Sequence, residues 1–371
     1  MSEDKMVSGS FCRISWHPIN LNSHDQIKSY LLTQGWVPTE FNTKKVGRET
    51  IRTSPKLTED SFDSVKGEVP KLVARRSILV HRQRMLKNTK KNGEESGWLN
   101  NLREDGRLEA RAIPNGTNTG RFRHIGLVNV PNPYAVYGPD IRSLFIAPDN
   151  YVLVGVDAAA LEARIQAHYV YPYPKGPELA DLLLNGDIHT ANQKMWGMEE
   201  RNDAKSPMYA LMYGAQPQKL AETMGCSIFK ATKRYEDFWE EYLPLDMFKT
   251  TITKVWEERG GKNGGYLKAL DGRKLFARSP HALVNLMFQS GGSIVVKLAT
   301  VLTDKWCQKR RLRSVQVIHM HDELQRETHE DDAEEVAELA QLAFKTAGEY
   351  FNMNVPIVGE AKIGKTWGQT H

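Results

Sequence analysis

The sequence predicts an α+β fold in which a small sheet, assembled from segments far apart in the chain, brackets a block of helices. Three observations carry this. Residues 151–157, YVLVGVD, are a nearly continuous apolar run ending in a carboxylate, the pattern of a buried strand. Residues 314–328, SVQVIHMHDELQRET, read as two strands meeting at a tight turn, with Asp322 at or beside it. Between these blocks, from about 177 to 300, the pattern is mainly helical.

Taken in order, residues 1–70 are polar and irregular, with a short amphipathic stretch at 24–35 and a Lys/Gly/Thr/Ser-rich segment at 42–57 that reads as loop. From Lys71 to Lys91 the character changes. Leu72, Leu79 and Leu86 lie seven apart, seconded by Val73 and Val80, so the spacing predicts a helix with one apolar stripe. The same span carries eight Lys or Arg and no Asp or Glu. That is either a solvated basic face or a contact that tracks a nucleic-acid backbone.

After the first strand, ALEARIQAHY (160–169) has good helix formers and few breakers. RNDAKSPMYALMYG (201–214) spaces Arg201, Lys205, Tyr209 and Tyr213 four apart, which puts two cations and two aromatic rings on one helical face. Pro207 falls inside this face. An interior proline costs about 3 kcal/mol and bends a helix; alternatively, the helix starts with Ser206 as cap and Pro207 as first residue. The uninterrupted spacing favours the bend. Beyond the strand pair, Thr328 and Asp331 suggest a capping box. The helix that follows should bury Val336, Leu339, Ala340, Ala343, Ala347 and Phe351.

The bulk numbers bound the possibilities loosely. A formal charge of +5 over 371 residues, with a pI near 8.9, mildly favours a polyanionic partner. The three cysteines, Cys12, Cys226 and Cys307, share no metal-like spacing, so a reducing compartment is expected. The first residues lack a signal pattern, and no apolar run suggests a membrane span. The expectation is a cytoplasmic protein with no membrane partner.

Three constellations carry chemistry. Asp157 and Asp322 sit at strand ends, and hard divalent ions such as Mg²⁺ need only one or two carboxylates beside substrate phosphates. Each aspartate alone reads equally as a turn residue or cap. His319-x-His321-Asp322 invites a zinc reading, but few further ligands follow in the sequence, and core roles for the histidines are commoner. His189, Arg201 and Lys205 can converge on a triphosphate; the plain alternative is a surface helix with ordinary cations.

Taken together, these stretches resemble a known family. GVDAAALEARIQAHY (155–169), RNDAKSPMYALMYGA (201–215) and HMHDELQ (319–325) are similar to motifs A, B and C of family A DNA polymerases, in that order. TNTGRFRH (117–124), LVNVPNP (127–133), GPDIRSLF (138–145), NGDIHTANQ (185–193) and LDGRKLFARSPHALVNLMFQSGG (270–292) extend the match. The resemblance is to the replicative polymerases of short-tailed bacteriophages in particular. It begins near INLNSHDQIKSYLLTQGWVPTEF (19–41) and runs to the end of the sequence.

The resemblance implies a right-hand fold of palm, fingers and partial thumb. The expected divisions are 1–93 (partial thumb and N-terminal segment), 94–170 (palm, first part), 171–284 (fingers) and 285–371 (palm, second part). It implies that Asp157 and Asp322, with the Ala158 carbonyl, hold two Mg²⁺ ions, and that Glu323 assists. His189, Arg201 and Lys205 would meet the triphosphate, with Lys205 counted among the catalytic groups. Tyr209 would pack on the sugar, Tyr213 would cover the nascent base pair, and Glu162 would exclude a 2′-hydroxyl. Arg121, Asn285, Gln289 and His321 would touch the minor groove near the primer end, where acceptors common to all correct pairs permit sequence-blind checking.

The implied partners are primer–template DNA and deoxynucleoside triphosphates. None of the aspartates before Asp157 begins a D-x-E proofreading signature. The further expectation is therefore a polymerase without its own exonuclease, the polymerase chain of a split enzyme. A separate chain would supply the exonuclease and half-thumb, and a processivity factor is a further candidate partner. The alternatives are a catalytically silent polymerase-like DNA-binding subunit and a single-subunit RNA polymerase. Retention of both carboxylates opposes the first, and Glu162 with Tyr213 opposes the second.

Overall fold

A computed structural model describes residues 18–46, 49–89 and 92–370. The chain divides into two units, one up to Asn101 and one from Leu102 onward. Cys12, Lys90 and Lys91 lie outside the described residues.

In the first unit, helix α1 (His24–Thr33) matches the amphipathic stretch. Ile27 and Leu31 pack with Trp36, Val65 and Ala74 into a small core. The segment expected to be loop is instead an antiparallel hairpin of β1 (Phe41–Val46) and β2 (Glu49–Pro55). Thr43, Ile51 and Thr53 supply β-branched residues that outweigh the polarity of the segment. Helix α2 (Glu68–Leu86) forms where the leucine spacing predicts. It packs through Pro70 and Ala74, however, and leaves Leu72 57% and Leu79 49% exposed. A short pair, β3 (Asn88–Thr89) with β4 (Glu95–Ser96), follows.

The second unit begins with the pair β5 (Arg111–Ile113) and β6 (Arg123–Ile125), then helix α3 (Gly138–Ser143) and the long strand β7 (Tyr151–Ala158). Seven helices come next: α4 (Leu161–Val170), α5 (Gly176–Leu184), α6 (Ile188–Trp196), α7 (Lys205–Met212), α8 (Pro217–Met224), α9 (Ile228–Glu241) and α10 (Leu243–Glu258). A hairpin, β8 (Tyr266–Lys268) and β9 (Lys274–Phe276), precedes the longest helix, α11 (Leu283–Arg310). Strands β10 (Ser314–Met320) and β11 (Glu323–His329), helix α12 (Ala333–Tyr350) and β12 (Gly359–Gly364) complete it. The central sheet runs β10-β11-β7-β12, antiparallel throughout. A sheet made of distant segments with a helical block between them is therefore what forms.

Because side chains alternate along a strand, Val154, Val156 and Ala158 of β7 share one face and join the main core with Leu324, α11 and α12. The opposite face carries Gly155 and Asp157 with their partners Gln325 and Glu323. Gly155 has a packing reason: a Cβ there would lie 2.3 Å from Gln325 Nε2 and 2.6 Å from Thr370 Cβ. The helical stretch Pro280–Arg310 is long and apolar enough to cross a membrane by length and composition, which sequence inspection did not anticipate. Two-thirds of its apolar window is buried, and α11 is a core helix. In α12, Val336, Leu339, Ala340, Ala343 and Ala347 are buried as expected, and Phe351 sits half-buried at its C-terminal cap. Thr328 does not cap the helix. It stays in β11, its hydroxyl bonded to Ser314 Oγ at 2.9 Å, and His329 caps the turn Glu330–Asp332 that leads into α12.

Candidate active site

The sheet register brings the two aspartates together. Asp157 pairs directly with Glu323, the first residue of β11, and the Ala158 N–H donates to the Asp322 carbonyl at 3.2 Å. His321 and Asp322 form the two-residue turn between β10 and β11, closed by Met320 opposite Glu323. His321 takes φ 55°, the left-handed value that favoured two-residue hairpins need at the first turn position. A buried strand pair thus fixes Asp322 beside the end of β7.

Glu323 shares a face with Asp157, but its carboxylate is committed. It accepts from Trp367 Nε1, from Gln325 Nε2 at 2.7 Å and from Arg142 Nη1 at 3.5 Å. Glu323 and Arg142 are only 4% and 5% exposed, a buried ion pair. Arg142 also donates to the Pro131 carbonyl at 2.8 Å and lies 4.4 Å over the Trp367 ring. Burial pulls the Arg142 guanidinium below its usual range, against the opposing charges of Glu323 and Asp157. Glu323 therefore braces the floor under Asp157.

Asp157, Asp322 and nearby backbone carbonyls are hard oxygen donors. Among the described residues no group of three or more His, Cys, Asp or Glu is placed to hold a metal. That donor set fits Mg²⁺, which keeps waters and completes its shell with substrate phosphates. It does not fit a protein-built zinc cage. His319 is buried against Phe122, ring centroids 4.2 Å apart, and burial first, then His124, lowers its pKa to about 4. His321 is exposed on the turn, its ring edge-on to that of His124 at 6.0 Å.

Glu162, in the first turn of α4, lies within electrostatic reach of Arg121, Asp322, Tyr209 and Tyr213. Burial raises its pKa, Arg121 opposes and Asp322 adds to the rise. Gln289 of α11 lies close enough to the Tyr213 hydroxyl to oppose the rise that burial gives its pKa. The structure thus gathers Asp322, Glu162, Arg121, Tyr209, Tyr213 and Gln289 around one point.

The 201–213 segment departs from the sequence expectation. Arg201–Ala204 is a 3₁₀ turn, α7 starts at Lys205, and Tyr213 caps its end. Pro207 falls at the third helical position, where its missing N–H would have no intrahelical partner anyway. The helix starts near the proline and does not bend at it. Ala204 is the cap, not Ser206.

Beside it runs a cleft of about 420 Å³ lined by Glu162, Gln166, Asp187, His189, Arg201 and Tyr209 among others. His189 stands in the first turn of α6, its ring 6.0 Å from that of Tyr209, and its buried Nδ1 has no hydrogen-bond partner. Burial lowers the His189 pKa, and Arg201 and Lys205 lower it further, while Asp187 opposes them. His189, Arg201 and Lys205 thus lie within electrostatic reach of one another. Asp187 caps α6 and grips Arg201 through both oxygens, at 2.6 and 2.9 Å. The Arg201 hydrogen bonds hold its carboxyl well below the usual range.

Asn285 and Gln289 begin a ladder on α11 that Ser293 and Lys297 continue at four-residue spacing. Both Ser293 Oγ (2.9 Å) and Lys297 Nζ donate to the Gly120 carbonyl, which ties down the loop carrying Arg121. Gly120 needs its φ of 80°, and a Cβ there would press Arg273 Nη1 at 3.3 Å.

The family model for DNA polymerase family A matches residues 4–369. The chain belongs to DNA polymerase family A. It is 29% identical to the DNA-directed DNA polymerase of Enterobacteria phage T3 over 95% of this chain and 53% of that protein. It is 28% identical to that of Escherichia phage T7, with the same coverage. The chain thus spans about half the length of these curated relatives. Among solved structures, the POL domain of Pol1 from M. smegmatis, complexed with DNA primer-template and dNTP, superposes with a TM-score of 0.70. That match covers 95% of this chain and 62% of that one at 20% identity, and it shows the shared fold.

Within this family A fold, Asp187, Ser293 and Lys297 are the site neighbours that sequence reading missed. The four-residue continuation from Asn285 and Gln289 was the available signal for the last two.

Proposed function

We propose that this chain is the polymerase part of a family A DNA polymerase, extending a primer 3′ end with deoxynucleotides in template-directed nucleotidyl transfer. The observation that carries the reading is the register Asp157↔Glu323, which sets Asp322 beside Asp157 next to a cleft bearing His189 and Arg201. The POL-domain structure that shares the fold was solved with primer-template and dNTP, which supports those partners. Residues 94–170 and 285–371 form the palm in this reading, 171–284 the fingers, and residues up to 93 a partial thumb.

Asp157, Asp322 and the Ala158 carbonyl would hold the metal. Two bound Mg²⁺ ions would activate the primer 3′-hydroxyl and neutralise charge on the departing pyrophosphate. Arg201, Lys205 and His189 bind the triphosphate, and Lys205 stands closest to the catalytic role among them. Tyr209 packs on the sugar, with Glu162 filling the space a 2′-hydroxyl would take. Tyr213 lies over the new pair, and Arg121, Asn285, Gln289 and His321 meet the minor groove, checking pair shape without reading sequence. Most of the rate then comes from positioning and charge. The exposed Val69, Leu72 and Leu79 on α2 support one more partner, a helix from a separate exonuclease-bearing chain.

The test is primer extension by the purified chain with Mg²⁺ and either deoxy- or ribonucleotides. Template-matched deoxynucleotide addition is expected, with ribonucleotides rejected by wild type and admitted at least about tenfold better by Glu162→Ala. A folded chain that extends no primer, or prefers ribonucleotides, would sink the reading. Coexpression with an exonuclease chain, followed by a solution-mass measurement, tests the partner; a monomer alone counts against it.

A further inference from the structure

One aspartate in the nucleotide cleft has more partners than a helix cap requires. Asp187 Oδ1 accepts the N–H groups of His189 and Thr190, both at 3.1 Å, and Arg201 Nη2 at 2.9 Å. Its Oδ2 accepts Thr190 Oγ1 at 2.8 Å and Arg201 Nε at 2.6 Å. Five donors on one carboxylate exceed its roughly four lone-pair sites. Both partners are about two-fifths exposed, Arg201 at 43% and Asp187 at 42%. Exposed ion pairs usually add little to stability, and the two-point Arg–carboxylate fork is the exception because its geometry is fixed, so what this arrangement secures is the placement of the Arg201 guanidinium.

Resting on the polymerase reading, we propose that Asp187 is a positioning residue for the incoming triphosphate. The capping bonds fix its carboxylate relative to the start of α6, where His189 sits. A fork held at two nitrogens has its plane fixed. Asp187 thereby locks the Arg201 guanidinium into register with His189 before any nucleotide arrives. Arg201 has five N–H donors, of which Asp187 takes two; three remain for phosphate oxygens. The loss of freedom in a long side chain is thus incurred in the free protein, and binding no longer bears it.

Asp187→Asn isolates the claim, because Asn caps a helix as well as Asp does but cannot form the charged fork. Two readouts are needed: dNTP affinity in a complex with a dideoxy-terminated primer, and KM with kcat in primer extension. Expected is a dNTP affinity weakened about fivefold and a matching rise in KM. The kcat should stay within about twofold and the thermal midpoint should not move. Arg201→Ala should weaken binding at least as much, and the double variant should add nothing further.

Unchanged or tighter nucleotide binding by Asp187→Asn would overturn the proposal, as would additive effects in the double variant. A lowered thermal midpoint with unchanged KM would assign Asp187 to capping alone. Wild-type extension that is lost in Asp322→Ala, run alongside, separates the two failures. If wild type extends and Asp187→Asn matches it, only the role of Asp187 falls. If wild type binds no nucleotide, both readings fall.

Discussion

At His189, burial and the charges of Arg201 and Lys205 all favour the neutral ring, and only Asp187 opposes them. A triphosphate in the cleft would reverse that balance, because its negative charge favours imidazolium. Binding then takes up a proton, so affinity strengthens as pH falls through the window between the depressed free pKa and the higher bound one. The KM for dNTP is predicted to fall about two- to fivefold between pH ~7.5 and ~6 relative to His189→Gln. A parallel pH profile in the variant would remove His189 from the contact. Glu323 makes the opposite kind of prediction. Because it is half of a buried pair with Arg142, Glu323→Ala should cost about 3–5 kcal/mol in urea unfolding by leaving a buried charge uncompensated. Asp157, Asp322 and His189 were legible as residues because their types and spacing carry chemistry, whereas Glu162 came only with the family resemblance. The engagement of Glu323 by Trp367 and Arg142 was not, since those partners meet it only through the fold.

Helix α7 shows how element boundaries escape a spacing argument. Four residues at intervals of four imply one helix, yet the 3₁₀ turn Arg201–Ala204 gives way to α7 only at Lys205. Proline near a helix start costs nothing in hydrogen bonds, and that local preference decides where the helix begins. In α2 the spacing is right about the helix but not about its environment. Exposed Leu72 and Leu79 predict that Leu72→Ser and Leu79→Ser each change the stability of this chain by no more than about 0.5 kcal/mol. Losses of about 2–5 kcal/mol, the range for a buried leucine, would show instead that these side chains are covered in solution. In β7 the contrary holds. Gly155→Ala should destabilise by about 1–3 kcal/mol, because Gln325 and Thr370 occupy the space its methyl would need. Strands β7, β10 and β11 were legible from apolar runs and alternation, while β12 was not. Hairpin β1–β2 was not, because its polar residues masked a β-branched pattern.

Over the whole molecule, the pairing β10-β11-β7-β12 does the decisive work. It brings the ends of segments far apart in sequence to one point, and the helices between β7 and β10 supply the cleft beside it. Sequence could name the segments but not show that they meet; the register does. The central claim is that Asp157 and Asp322 form the catalytic carboxylate pair. The most direct test is single-turnover incorporation of one matched dNTP by wild type, Asp157→Asn and Asp322→Asn, with folding and primer-template binding measured on each. The prediction is intact folding and DNA binding with incorporation lowered at least about 10³-fold in both variants. Either variant incorporating within about tenfold of wild type would contradict the account.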